Sequence, residues 1–81
     1  MMALLRFPAV IDRAGLSRSS LYSRVSQGLW PPPIKLGQRA SAWPEHEISA
    51  LNAARVSGKS DAQIRDLVAE LIAARKSCVS A

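Results

Sequence analysis

Seven side chains in one short stretch, Ser17, Arg18, Ser19, Ser20, Tyr22, Ser23 and Arg24, have the types and spacing to do chemistry. Serine attacks only with a base beside it, and His46 is the sole histidine of the chain. The sequence holds no phosphate-cradling glycine loop, no His-Glu metal pair and no nucleophile elbow. One histidine and one cysteine, Cys78, do not furnish a structural zinc site. The expectation is therefore no enzymatic activity, no catalytic residue, no metal and no cofactor. What these hydroxyl, phenol and guanidinium groups can do is bind a polyanion.

The element that must position them is a short helix bounded by Gly15 and Gly28. Ser17 is a suitable N-cap, and Gly28 stands where a left-handed C-terminal residue belongs. Only Leu21 and Val25 recur at the one-turn spacing of a buried stripe. At about 100° per residue, Ser19 and Ser23 lie opposite that stripe, with Tyr22 and Arg24 flanking them. Small side chains let a helix backbone sink into a groove while the flanking groups reach phosphates. A plain solvated helix face would show the same pattern.

Charge separates the two readings better than the helix does. Residues 1–44 carry six basic side chains (Arg6, Arg13, Arg18, Arg24, Lys35 and Arg39) against Asp12. Residues 45–81 carry five of each sign, so the whole net charge of +5 lies in the first half. That asymmetry, with a sequence pI near 10.4, favours nucleic acid as partner ahead of an anionic membrane. No strongly amphipathic basic helix and no apolar run of membrane-spanning length is present, so no membrane is expected. Arg6 and Pro8 interrupt the apolar start before a signal-peptide core forms. With a lone cysteine, this points to the cytoplasm. At 81 residues the chain can bury one modest core.

In chain order, Leu4 and Leu5 precede a first helix opened by Pro8, faced by Val10, Ile11 and Ala14 and ended by Gly15. Two short helices joined by a glycine-containing turn make a helix-turn-helix, whose second helix enters the major groove. Leu29-Trp30-Pro31-Pro32-Pro33 cannot be helical and reads as a stiff spacer. Ile34 to Trp43 then reads as a hairpin around Gly37-Gln38. A two-residue loop would put Arg39 on the face of Leu36, whereas a longer loop leaves Arg39 at the tip. Pro44 can open a third helix, with Glu45 and Glu47 in its first turn, Ile48 and Leu51 on its buried edge, and Gly58 as its end. His46 between those carboxylates reads as a solvated side chain. Ser60 and Gln63 form a capping box, and Ile64, Leu67, Val68, Leu71 and Ile72 follow at amphipathic helical spacing.

This order of parts resembles the AlpA-like prophage regulators, small winged-helix proteins related to phage excisionases and to the DNA-binding domains of MerR-type regulators. The matching residues are Leu4-Leu5-Arg6, Val10-Ile11, Gly15 to Tyr22, Trp30 to Arg39, Trp43 and Glu47-Ile48, within residues 4–56. The resemblance implies that Ser17 to Gln27 form the recognition helix and Lys35 to Arg39 a wing, with Arg39 at or near its tip. Ser41 departs from the family pattern, standing where an apolar hairpin residue is usual. Residues 60–76 lie beyond the usual family core.

The expected fold is mainly α with a small β-hairpin wing. It comprises a winged helix-turn-helix over residues 1–58 and a C-terminal amphipathic helix over 59–76, packing on the domain or mediating self-association. Residues 77–81 are expected to be a flexible tail. The expected function is sequence-specific binding of double-stranded DNA by a prophage-type transcriptional regulator. Ser17 and the backbone amides beside it would hold phosphate, and Arg18, Ser19, Ser20 and Ser23 would face base edges. Tyr22 and Arg24, with Lys35, Gln38 and Arg39 of the wing, would clamp backbone or minor groove. Two other readings stay open: an excisionase-like factor that bends attachment-site DNA and recruits an integrase, and a protein-binding adaptor or inhibitor using the last helix. Because a domain this small covers a short half-site, a homodimer, tandem copies on DNA or a protein partner is expected.

Overall fold

Pro8 lies in the first turn of a helix, where its missing N–H costs nothing, and the chain folds accordingly. The computed structural model describes residues 4–38 and 40–79, with side chains as far as 76. In order, its elements are β1 (Leu4–Arg6), α1 (Phe7–Ala14), α2 (Arg18–Ser26), β2 (Ile34–Lys35), β3 (Ser41–Pro44), α3 (Glu45–Val56) and α4 (Asp61–Val79). This is the expected mainly helical, winged-helix-like fold.

The glycine punctuation works as read. Gly28 and Gly58 adopt left-handed backbone, φ 78° and 84°. Each is followed by the paired carbonyl capture of a Schellman turn: Leu29 N–H to Arg24 O at 2.9 Å, and Lys59 N–H to Ala54 O at 3.1 Å. The capping box of α4 is formed in both directions, Ser60 N–H to Gln63 Oε1 at 2.9 Å and Gln63 N–H to Ser60 Oγ at 3.3 Å. The helix then continues to Val79, past the boundary expected at Lys76.

The sheet is larger than a hairpin. Its order is β1-β3-β2, all antiparallel, with Leu5 opposite Trp43 and Ile34 opposite Ala42. Leu4 to Arg6, read only as a lead-in to α1, form an edge strand. Ala42 and Trp43 are fully buried, so the backbone of β3 requires partners on both sides. A three-residue strand carries too little periodicity to be seen in advance. Register at the wing is closed by Leu36 N–H donating to Ala40 O at 2.8 Å, which is the longer-loop alternative. Arg39 itself lies outside the described residues. β3 begins at Ser41 despite its departure from the apolar pattern.

Trp43 is the centre of the core. It packs edge-on to Phe7 at 5.6 Å, and its indole N–H donates to the Pro31 carbonyl at 2.8 Å. Trp30 and Pro31 are buried beside it, so the proline segment is a wall of the core rather than a free spacer. Val10, Leu21, Leu29, Ile48, Leu51, Ala54, Ile64 and Val68 belong to the same cluster. α4 therefore lays its apolar edge on the domain. A second tie holds it there: Glu47, fully buried, accepts from Arg75 Nε at 2.9 Å and Nη2 at 2.7 Å. Glu47 thus serves as the buried anchor of α4, beyond any interaction with the dipole of its own helix. Among the described residues, no helix is long and apolar enough to cross a membrane.

Candidate nucleic-acid interface

α2 is fastened at both ends and on its inner edge. At its start, Ser17 Oγ accepts from Ser20 N–H at 3.2 Å and donates to Ser20 Oγ at 2.9 Å. The Ser17 hydroxyl is therefore engaged in capping α2. At its end, Arg65 of α4 donates from Nε to Gln27 O at 3.0 Å, satisfying a carbonyl the helix leaves open. Leu21 is fully buried and Val25 half-buried. The rest of the helix faces outward.

That outward surface has a crest and two flanks. Ser19 and Ser23 form the crest, both exposed, with Gln27 Nε2 donating to Ser23 Oγ at 3.3 Å. On one flank, Arg18 and Tyr22 lie one turn apart against Phe7. The Arg18 guanidinium carbon sits 4.6 Å over the Phe7 ring, and the Tyr22 ring centroid is 5.2 Å from it. Cation–π stacking holds Arg18 on this flank, beside the serine crest. Arg6, Pro8 and Ser41 join these side chains around a cleft of about 330 Å³.

The other flank is built from both halves of the chain. Ser20, Ser23 and Arg24 of α2, with Gln27 just after it, face Arg55 and Asp61 across a cleft of about 370 Å³. The Arg55 Nη1 to Asp61 Oδ1 distance is 3.1 Å, and both side chains are exposed. Lys35 and Gln38 of the wing are exposed, on the hairpin next to β1 through β3. Arg13, which added to the charge of the first half, is tied instead to α3 through Glu45 at 3.0 Å.

The structure thus keeps Ser17 to Ser20 and Tyr22 to Arg24 on the outer side of α2, with Leu21 turned inward, and sets the charged side chains of Arg6, Arg55 and Asp61 beside them. Arg6 counts in the sequence only toward the charge of the first half, because its place beside α2 depends on β1. Arg55 and Asp61 escaped notice because they lie in the electrically neutral half. The visible signal for all three is their charge, which spacing along the chain does not place beside α2. Among the described residues no group of His, Cys, Asp and Glu side chains is arranged to hold a metal ion.

Comparison with known proteins adds to the geometry. The uncharacterized protein ORF88 of Enterobacteria phage P4 is 40% identical to this chain over 55 residues. That alignment covers 68% of this chain and 62% of the phage protein's length. No solved structure matches. The family model of the prophage CP4-57 regulatory protein AlpA matches residues 3–55, a segment running from β1 through α3 that contains α2, the wing and Arg55 and stops short of α4. This chain belongs to the AlpA family of prophage regulatory proteins.

Proposed function

We propose that the protein is a sequence-specific, double-stranded DNA-binding regulator of transcription that inserts α2 into the major groove. The observation that carries this reading is the outward surface of α2, a crest of serines between two guanidinium-bearing clefts. Ser19, Ser20 and Ser23 present hydroxyls to base edges, where they can donate or accept. Tyr22, Arg18 and Arg6 reach the backbone on one side, and Arg24 reaches it on the other. Lys35 and Gln38 contact backbone or minor groove from the wing, with Arg39 as a further wing contact expected from the family resemblance.

The membership in a regulatory family and the net charge of +5 support the same ligand. Because phosphate contacts release counterions, neutralising about five phosphates gives a slope of log affinity against log salt of roughly −4 to −5. Selection of bound duplexes from a random library, followed by fluorescence anisotropy over a salt series, tests the reading. An enriched motif with that slope is the expected result. Absence of any enriched motif removes sequence specificity, and a slope near zero removes the backbone contacts.

A further inference from the structure

We infer that the cleft between the C-terminal half of α2 and the α3–α4 turn receives a DNA backbone phosphate, with Arg55 exchanging its ion pair with Asp61 for the phosphate. This rests on the DNA-binding reading and assigns a contact to the half of the chain that carries no net charge. The lining is almost wholly polar, with Ser20, Ser23 and Gln27 beside the guanidinium groups of Arg24 and Arg55. Two cations from separate elements converge on one concavity next to the exposed crest. A helix seated in the major groove has a phosphate strand on either side. Arg6, Arg18 and Tyr22 occupy one flank. Arg24 and Arg55 occupy the other.

Arg55 is held in place without being used up. Its contact with Asp61 is single-point, Nη1 to Oδ1 at 3.1 Å, with side-chain exposures of 38% and 59%. An exposed pair of this kind is weak, and a guanidinium keeps further N–H donors free. A phosphate can take two of those donors at once, which a fork-shaped cation favours over a one-point carboxylate contact. The turn between these two residues is closed by hydrogen bonds on both sides. Gly58 closes α3, the Ser60–Gln63 box opens α4, and Arg65 ties the first turns of α4 to Gln27 at the end of α2. Arg55 therefore keeps its position relative to the recognition surface when the pair opens. Among the described residues Asp61 is the one carboxylate lining the cleft, and its charge opposes the ligand.

The sign of that opposition makes the test specific. Full-length wild-type protein, Arg55→Ala, Arg55→Lys and Asp61→Asn are titrated by anisotropy against the selected duplex and a scrambled duplex, across a salt series. Arg55→Ala is expected to weaken binding to both duplexes about tenfold near 0.1 M salt and to reduce the salt slope by about one. Arg55→Lys keeps the slope, and Asp61→Asn tightens binding several-fold. Thermal unfolding of each variant confirms that the fold is intact. If wild type binds and Arg55→Ala leaves affinity and slope unchanged, the phosphate contact is wrong. If Asp61→Asn weakens binding as Arg55→Ala does, the exchange is wrong. If wild type binds neither duplex, the DNA-binding reading itself fails.

Discussion

Among the described residues two arginine–carboxylate pairs join α3 to α4, alike in chemistry and opposite in burial. Glu47 and Arg75 meet through two contacts of 2.7 and 2.9 Å, with the carboxylate fully buried and Arg75 mostly so. Arg55 and Asp61 meet through one contact of 3.1 Å in solvent. Water screens the second pair and offers each partner an alternative, so it fixes little and remains available. The first pair has no such alternative. A buried carboxylate without its partner is an uncompensated charge, so Glu47 and Arg75 hold α4 to the domain by mutual need. Burial, then, separates an anchor from a contact that can be traded.

The comparison breaks most visibly at the anchor. Arg75→Ala is expected to destabilise the protein by about 3–5 kcal/mol, since Glu47 stays buried and unpaired. In a domain whose total stability is of order 5 kcal/mol, about 0–2 kcal/mol would remain, so thermal unfolding followed by circular dichroism would show a midpoint far below that of wild type. Replacing both partners sharpens the point. Glu47→Leu with Arg75→Met removes both charges, and the result is expected to lie between neutral and about 4 kcal/mol more stable than wild type. A double variant as unstable as Arg75→Ala would mean that the pair contributes by more than charge compensation. At the small end, Arg55→Ala should change stability by less than about 1 kcal/mol, because its pair is exposed. A larger loss in denaturant titration would show that the α3–α4 turn depends on this pair and would erase the contrast.

Local signals were readable in advance wherever the physics is local. The Gly28 and Gly58 terminators, the Ser17 cap and the Ser60–Gln63 box each act within a few residues, and each is found where its residue types stand. Most of the expected stripe of α4 is seated on the domain through Ile64 and Val68, with Leu67 and Leu71 packed against the core, while its last member, Ile72, is exposed. What went unread depends on distant partners. β1 exists because β3 is buried and needs a second neighbour. Trp30 and Pro31 are core because Trp43 comes back across the sheet to the Pro31 carbonyl. Glu47, which looked like a helix-dipole residue, found its role 28 residues away at Arg75.

The interface divides along the same line. Residue type and helical spacing by themselves determined that α2 has an inner edge of Leu21 and Val25 and an outer face of serines, because those relations repeat every turn of one helix. They also determined that the first half of the chain holds the net charge. Only the tertiary structure decided which charges stand beside that face. It turned Arg13 away to Glu45, stacked Arg18 on Phe7, and carried Arg6, Arg55 and Asp61 to the flanks of α2. Counting charge along a chain registers amount, whereas a guanidinium can reach a phosphate only over a few ångströms, and that proximity is set by how the helices pack.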